Sequence, residues 1–247
     1  MILLDFNKCN EFNINIYKDE KLYERFNWIN KLTTNMLDVL LNKSYSNYFG
    51  VPYIEKNTIW GKEIIFLPFT TKLFKILITS KNDTSLQLHY KKTEIWYPIK
   101  NSIISDGKKN IYVDKNDKII INNGVIHCLK KGGCIFEVQD NLLFDNDVIR
   151  IYDVNKRNIV DNYEYLKYIS PLSKMVIEKN DYCFQSLKNI FVFVLNHDVV
   201  IQEKIHLKKY NLYYFKEVSL ELFGDLGNYI FTESDFIVEE FFNYGIS

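Results

Sequence analysis

Four polar residues have types and a spacing suited to binding a metal ion: Gln87, His89, Glu94 and His127. Gln87 and His89 lie two positions apart in the strand-like run SLQLHY, so their side chains share one face of a β-strand. Glu94 follows five positions after His89, and His127 follows the turn sequence NNG, where Gly124 allows a tight turn. The pattern predicts that an amide, two imidazoles and a carboxylate converge.

Such a mixed nitrogen and oxygen set suits Zn²⁺, and also Fe²⁺, Mn²⁺ or Ni²⁺. The sequence therefore predicts one divalent metal without fixing its identity. Each residue alone also has an ordinary interpretation, as a hydrogen-bonded histidine or a solvated carboxylate, and the joint spacing favours the metal site. Cys128 would point to the opposite strand face from His127 and is not counted as a ligand. His197 and His206 lack this frame, so the second half is expected to hold no metal.

The elements that must position these residues are mostly strands. After Gly50, short runs rich in Ile, Val, Phe and Tyr alternate with turn-like sequences such as DGKKN, NNG and KKGG, which predicts an antiparallel sandwich or barrel. A second strand-rich segment begins near Asn162, with no Pro/Gly/Ser-rich linker before it. An apolar stripe at spacings of three and four over Tyr17 to Lys43 predicts a helix or helix pair packed on the main body.

Composition narrows the classes of partner and compartment. The 31 basic and 31 acidic residues balance, so no overall positive field favours nucleic acid or an anionic membrane. No run approaches the roughly 18 to 20 apolar residues needed to span a bilayer. Four cysteines without a CxxC pair, and a start without the layout of a signal peptide, predict a reduced, cytoplasmic protein.

The same residues carry a resemblance to a known family. The spacing Gln87-x-His89-x4-Glu94, then Gly124-x2-His127, resembles the two cupin motifs, in the form with Gln for the first histidine that phosphomannose isomerases have. Four landmarks appear in the family's order over residues 57 to 157: NTIWGKE, SLQLHYKKTEIWY, INNGVIHCL and IFEVQDNLLFDNDVIRIYDVNKR. The chain departs from the family at two turn positions, with Asn122 for Pro and Asn101 for Gly.

The resemblance implies a fold and an organisation. The expected fold is mainly β, a cupin-type jelly-roll barrel with an N-terminal helical extension and a degenerate second cupin-like part. The expected domains are 1–50 for the extension, 51–160 for the metal-binding barrel and 161–247 for the second β region.

It also implies roles for further residues. Zn²⁺ becomes the expected metal, and Arg150 is expected to contact the reacting sugar through its fixed fork of donors, unless it only forms an ion pair with Asp153 or Asp147. Lys92 stands where related barrels have a basic residue, and is expected to relay protons or attract a phosphate, with Lys91 beside it; both also fit a solvated hairpin. The expected substrate contacts are Lys91, Trp96, Glu137 and Gln139. Core packing is the alternative for Trp96, and structural contacts along the strand ladder are the alternative for Glu137 and Gln139.

The expected function is a metal-dependent aldose–ketose isomerase in carbohydrate and nucleotide-sugar metabolism, supporting polysaccharide synthesis. Its expected partner is a small phosphorylated sugar, most simply mannose 6-phosphate, which it would convert to fructose 6-phosphate. Alternatives are a cupin enzyme acting on a nucleotide-linked sugar, an Fe²⁺-dependent oxygenase, and a non-catalytic sugar-binding cupin. The sequence leaves the exact sugar, its phosphate contacts and the assembly open, with a homodimer as one option.

Overall fold

The structure is a computed structural model, and it describes the chain in several segments. The described residues are 48–50, 53–66, 72–139, 147–154, 164–169, 174–179, 188–224 and 226–233. The helix expected over Tyr17 to Lys43 lies outside them. Two compact units are formed, Glu55–Asp181 and Met1–Ile54 with Tyr182–Ser247. The domain boundaries inferred from the sequence stay predictions.

The described chain is mainly β, as the sequence predicts. In chain order its strands are β1 (Tyr48–Gly50), β2 (Tyr53–Asn57), β3 (Lys62–Phe66), β4 (Leu73–Ile78), β5 (Leu86–His89), β6 (Glu94–Pro98), β7 (Ser102–Ser105), β8 (Asn110–Val113), β9 (Asp117–Ile121), β10 (Cys128–Leu129), β11 (Cys134–Gln139), β12 (Val148–Tyr152), β13 (Val176–Lys179), β14 (Lys188–Val194), β15 (Val199–Ile201), β16 (Ile205–Leu207), β17 (Leu212–Val218) and β18 (Tyr229–Glu233). Short 3₁₀ helices lie at Glu164–Tyr168, Leu220–Phe223 and Leu226–Asn228. Within the described segments, no helix has the length and apolar character to cross a membrane.

The first unit is a cupin-type barrel of two facing layers. One layer is a seven-stranded sheet in the order β13-β9-β6-β11-β4-β3-β2. The other contains β10-β7-β8 and β12-β5, and backbone hydrogen bonds between Gln87 and His127 join β5 to the segment that enters β10. Gln87 N–H donates to the His127 carbonyl at 3.0 Å, and His127 N–H returns a bond of 2.8 Å. This link brings two distant parts of the sequence into the same wall.

Alternation along the strands produces the core between the two layers. On the seven-stranded sheet, Trp96 is paired with Ile119 on one side and Glu137 on the other, and paired residues share a face. Trp96 and Ile119 pack with Ile104 and Leu129 of the opposite layer in one buried cluster. Each large side chain of this kind stabilises the fold by roughly 1.5–3 kcal/mol. The apolar cluster is therefore continuous with the polar face that bears Glu94 and Glu137.

One glycine is required where the chain enters this barrel. Gly61 has φ +150°, and a Cβ atom there would lie 1.9 Å from the carbonyl oxygen of Ile78. No side chain fits that approach, which explains the Trp-Gly pair at this point. Trp60, just before it, joins the barrel core.

The second unit is also built from antiparallel strands. Its sheet has the order β1-β17-β14-β18, and β15 and β16 form a separate hairpin. Gln202 and Glu203 take positive φ values of 50° and 57° in the three-residue turn that joins β15 to β16. Its core is aromatic-rich, with Phe223 packed edge-on against Phe215 at 5.0 Å between ring centroids. A β-rich second part is thus present, as the sequence predicts.

Candidate metal centre

Strand β5 places two of the expected ligands on the inner face of the barrel. Its sequence LQLH alternates, so Gln87 and His89 point the same way, and His89 is buried. The Nε2 atom of His89 lies 3.0 Å from Glu94 Oε1. The side chains that meet here therefore come from both layers of the barrel.

Glu94 is the centre of this cluster. It begins β6 and is buried, and its two oxygens face different partners. Oε1 faces His89, while Oε2 lies 3.3 Å from His127 Nε2 and accepts a hydrogen bond of 3.1 Å from the Trp96 indole N–H. Candidate ligand atoms of His89, Glu94 and His127 all lie within 4.8 Å of one another. Three of the four residues expected to bind metal are thus brought together.

His127 is held by its backbone and by a turn. Gly124 has φ +76°, and its N–H donates to the carbonyl of His89, which folds the chain back toward β5. The ring nitrogen Nδ1 of His127 lies 2.9 Å from the Val125 carbonyl, so this nitrogen carries the proton. Nε2 then presents its lone pair to Glu94. Cys128 is buried beside it but is not part of the cluster, and burial raises the pKa of its thiol to about 11.

Gln87 lies next to the cluster, with its amide nitrogen toward it. Nε2 is 3.2 Å from His89 Nε2, and Oε1 accepts a hydrogen bond of 2.6 Å from the Ser85 hydroxyl. An amide binds a cation through its oxygen, so Gln87 would have to turn its amide end over end to become a ligand. Its role as fourth ligand stays a prediction. Ser85, which sequence analysis missed, could have been found from the S-x-Q-x-H alternation.

The protonation states of the cluster suit a divalent cation. Burial lowers the pKa of His89 to about 4, so its imidazole is neutral at pH 7. Burial alone would raise the pKa of Glu94, but the Lys92 ammonium, together with His89, holds it well below its usual range. A neutral imidazole and a carboxylate are the forms in which these groups bind metals.

Orphaned buried atoms give a second test of the fit. His127 Nε2 and His89 Nδ1 form no hydrogen bond with any atom of the described residues, although both are buried. A buried acceptor without a partner costs about 1–3 kcal/mol. A cation in contact with His127 Nε2 and Glu94 Oε2 would remove that cost at His127 Nε2. The residues present therefore fit a divalent metal held by His89, Glu94 and His127.

The two lysines between these ligands differ in position. Lys92 is buried, and its Nζ lies 2.9 Å from Glu94 Oε1. Lys91 is exposed, with its Nζ 5.2 Å from the centre of the Tyr90 ring. The turn therefore points one charge into the site and the other toward solvent, which agrees with alternation along the chain.

Strand β11 adds two polar residues to the inner face. Glu137 lies opposite Trp96, and Gln139 lies opposite Glu94; both are buried. The Gln139 amide N–H donates to Glu137 Oε1. Burial and then the charge of Glu94 raise the pKa of Glu137, although Lys75, whose Nζ is 3.9 Å from Glu137 Oε1, opposes this. The site thus contains a second carboxyl group whose affinity for a proton is increased.

Arg150 and Trp96 complete the set expected from the sequence. Arg150 lies opposite Gln87 in the pairing of β12 with β5, so both side chains leave the same face of this pair. It is partly exposed. Trp96 is only 2% exposed, and its indole N–H donates a hydrogen bond to Glu94, one of the candidate metal ligands. The substrate contacts inferred from the sequence remain predictions.

Known proteins were compared with this fold and site. Residues 59–153 match the family model described as mannose-6-phosphate isomerase C-terminal. No curated protein matches the chain. Among solved structures, mannose 6-phosphate isomerase from Bacillus subtilis is similar over 76% of this chain and 97% of that chain, with 12% identity and a TM-score of 0.53. That share of this chain is larger than the barrel unit alone.

Two further solved structures are similar over smaller portions. A variant of Streptomyces PAC13 with uridine matches 41% of this chain and 85% of that chain, with 6% identity and a TM-score of 0.36. The capsular polysaccharide assembling protein CapF from Staphylococcus aureus matches 42% of this chain and 35% of that chain, with 14% identity and a TM-score of 0.34.

The barrel, with its inward-facing histidines, has a cupin-type fold. More narrowly, residues 59–153 form a cupin domain like that of the phosphomannose isomerases.

Proposed function

We propose that this protein is a metal-dependent aldose–ketose isomerase that acts on a phosphorylated sugar, with mannose 6-phosphate and fructose 6-phosphate as its first candidate pair. The buried cluster of His89, Glu94 and His127 carries the proposal, because it lies in the segment that matches the isomerase family. The fold of the Bacillus subtilis enzyme supports it further.

The proposed cofactor is one divalent metal, with Zn²⁺ first. His89 and His127 would hold it through Nε2 and Glu94 through a carboxylate oxygen, with Gln87 as a fourth ligand. When bound, such a cation polarises the sugar carbonyl and stabilises the negative charge that develops on the enediolate oxygens.

Glu137 is the proposed acid–base group. Isomerisation of an aldose requires that a proton leave C2, and that a proton be added at C1 after the enediolate has formed. A buried carboxyl with a raised pKa on the same face as Glu94 suits both steps, because its affinity for a proton is increased. The hydroxyl proton must also move from O2 to O1, and the Lys92 ammonium, 2.9 Å from Glu94 Oε1, is proposed to relay it.

Arg150 is proposed to bind the reacting sugar. Its guanidinium presents fixed donors that match two oxygens at once, either on the enediolate or on the phosphate. The exposed charge of Lys91 would attract the phosphate toward the site. Trp96 and Gln139 are proposed to shape the inner wall, with Trp96 also orienting Glu94.

Metal analysis and an activity assay test this proposal together. We expect about one metal per chain after purification or reloading with Zn²⁺, and conversion of mannose 6-phosphate in a coupled assay. His127→Ala should lose both metal and turnover, whereas His206→Ala, at an exposed position of β16, should lose neither. Glu137→Gln should keep the metal and lower turnover by roughly 10²- to 10⁴-fold.

The other outcomes separate the alternatives. Metal without turnover of mannose 6-phosphate would overturn this substrate, and nucleotide-linked sugars and Fe²⁺-dependent oxygen chemistry would be tested next. A protein that takes up no metal even after reloading would overturn the metal centre and favour a sugar-binding cupin without catalysis.

A further inference from the structure

Asp147 contacts the segment that joins two of the candidate ligands. It lies immediately before β12, opposite the end of β5, and only 1% of it is exposed. Its carboxylate Oδ2 accepts a hydrogen bond of 3.0 Å from the backbone N–H of Lys92. Its carbonyl lies 3.4 Å from the backbone nitrogen of Tyr90, which donates to it. One buried residue thus ties down the turn between His89 and Glu94.

The same carboxylate faces the outer side of the His89 imidazole. Oδ2 lies 3.8 Å from Nδ1 of His89, while the opposite ring nitrogen, Nε2, faces Glu94. Among the described residues, neither His89 Nδ1 nor Asp147 Oδ1 has a hydrogen-bond partner, although both are buried. A buried negative charge at this place favours a proton on Nδ1, and a proton there leaves the Nε2 lone pair for a cation.

The backbone tie also acts on Lys92. The turn that Asp147 holds at the Lys92 N–H directs that side chain inward, where its Nζ meets Glu94 Oε1. Without this tie, the turn would be free to expose Lys92 as it exposes Lys91. Asp147 therefore acts on one ligand directly and on another through Lys92.

We propose that Asp147 is a positioning residue of the metal centre: its carboxylate orients His89 for metal binding through Nε2 and fixes the turn that brings Lys92 to Glu94. This inference rests on the proposed metal centre. It assigns Asp147 no contact with metal or substrate. Sequence analysis considered this residue only as an ion-pair partner of Arg150.

Two substitutions separate the charge from the backbone tie. Asp147→Asn retains an oxygen that can accept from Lys92 N–H but removes the negative charge that faces His89. Asp147→Ala removes both. Asp114→Asn is the matched control, because Asp114 is an exposed aspartate of the same barrel unit.

The measurement is Zn²⁺ affinity of the full-length protein, by competition with a chromophoric chelator, alongside thermal unfolding of the metal-free forms. We expect Asp147→Asn to weaken Zn²⁺ binding by about 10-fold and Asp147→Ala by up to about 100-fold. Asp147→Asn should leave the metal-free midpoint close to that of the parent, which a merely structural role would not allow. Asp114→Asn should bind Zn²⁺ like the parent.

Several results would overturn the inference. Zn²⁺ affinity of Asp147→Asn within twofold of the parent would exclude the role, and so would equal losses of Zn²⁺ affinity in Asp114→Asn. If the parent binds no Zn²⁺, both the proposed function and this inference fail. If the parent binds Zn²⁺ and Asp147→Asn binds it equally well, only this inference fails.

A measurement on the parent keeps the test decisive if the variants do not fold. In the Zn²⁺-loaded parent, proton NMR should show the His89 Nδ1–H shifted downfield and protected from exchange by the carboxylate. A His89 Nδ1–H that exchanges as freely as that of an exposed imidazole would overturn the inference.

Discussion

The ammonium of Lys92 lies 2.9 Å from Oε1 of Glu94, and the same oxygen lies 3.0 Å from Nε2 of His89. One carboxylate oxygen thus faces both a cation of the protein and a candidate metal ligand. All three side chains are buried, so the charges of Lys92 and Glu94 are little screened by water. This arrangement keeps Glu94 ionised and available as a ligand in the absence of metal.

The Lys92–Glu94 pair predicts that substitution of Lys92 destabilises the metal-free protein and that Zn²⁺ restores part of the lost stability. Lys92→Met keeps the length of the side chain but leaves Glu94 buried without its partner cation. We expect the free energy of unfolding of the metal-free protein to fall by about 3–5 kcal/mol. Zn²⁺ should recover part of this loss, because a bound cation compensates the Glu94 charge. Urea unfolding with and without Zn²⁺ measures both effects.

Lys91→Met is the control for that experiment. Lys91 is exposed, and its substitution should change the free energy of unfolding by no more than about 0.5 kcal/mol. Equal losses in the free energy of unfolding of the two variants would contradict the assigned pairing. It would also be contradicted if Zn²⁺ stabilised Lys92→Met no more than it stabilises the parent.

The lowered pKa of His89 predicts that the metal-free protein loses stability in mild acid. The folded protein has this pKa at about 4, whereas an unfolded imidazole titrates near 6.5. Between these values the unfolded state binds more protons, so stability falls as pH decreases from about 6.5 to about 4. The contribution amounts to about 3 kcal/mol, and the lowered pKa of Glu94 adds a further loss at still lower pH.

Urea unfolding of the metal-free parent at pH 7, 5.5 and 4 measures this change. His89→Gln is the comparison, because it removes the titrating imidazole and should flatten the dependence on pH above 4. The same loss of stability in both proteins would show that His89 does not titrate in this way.

Much of the fold and of the ligand cluster follows from local patterns in the sequence. Period-two alternation in SLQLHY places Gln87 and His89 on one face, and the positive φ of Gly124 turns His127 back to them. These are short-range consequences of strand geometry and glycine conformation. They suffice to predict an antiparallel sandwich or barrel and a convergence of His89, Glu94 and His127. The cupin-type fold itself is predicted from the resemblance to the cupin motifs.

Other features depend on pairing between distant strands, which the sequence does not encode locally. The position of Asp147 against His89 requires the register of β12 on β5, in which Val148 lies opposite His89. Similarly, β13 pairs with β9 in the seven-stranded sheet, although it follows the boundary at residue 160 expected from the sequence. The buried state of Lys92 also depends on a long-range contact, its backbone bond to Asp147.

The position of Arg150 predicts that its substitution lowers turnover without affecting metal binding. The residue lies opposite Gln87 on the strand pair that bears His89, yet it is partly exposed and does not belong to the cluster of candidate ligands. Arg150→Ala should therefore retain the metal and the fold, while turnover falls by roughly 10²- to 10³-fold through loss of donors to the enediolate or phosphate. Arg150→Lys should recover only part of the loss, because an ammonium lacks the rigid planar fork with which a guanidinium binds two oxygens at once.

Steady-state kinetics and metal analysis on the same preparations check this prediction. A rise in KM with unchanged kcat would assign Arg150 to ground-state binding of the phosphate, because uniform binding affects KM alone. A fall in kcat would assign it to the enediolate, because only interactions that strengthen in the transition state accelerate the chemical step. An Arg150→Ala protein that turns over substrate like the parent would show that the guanidinium has neither role.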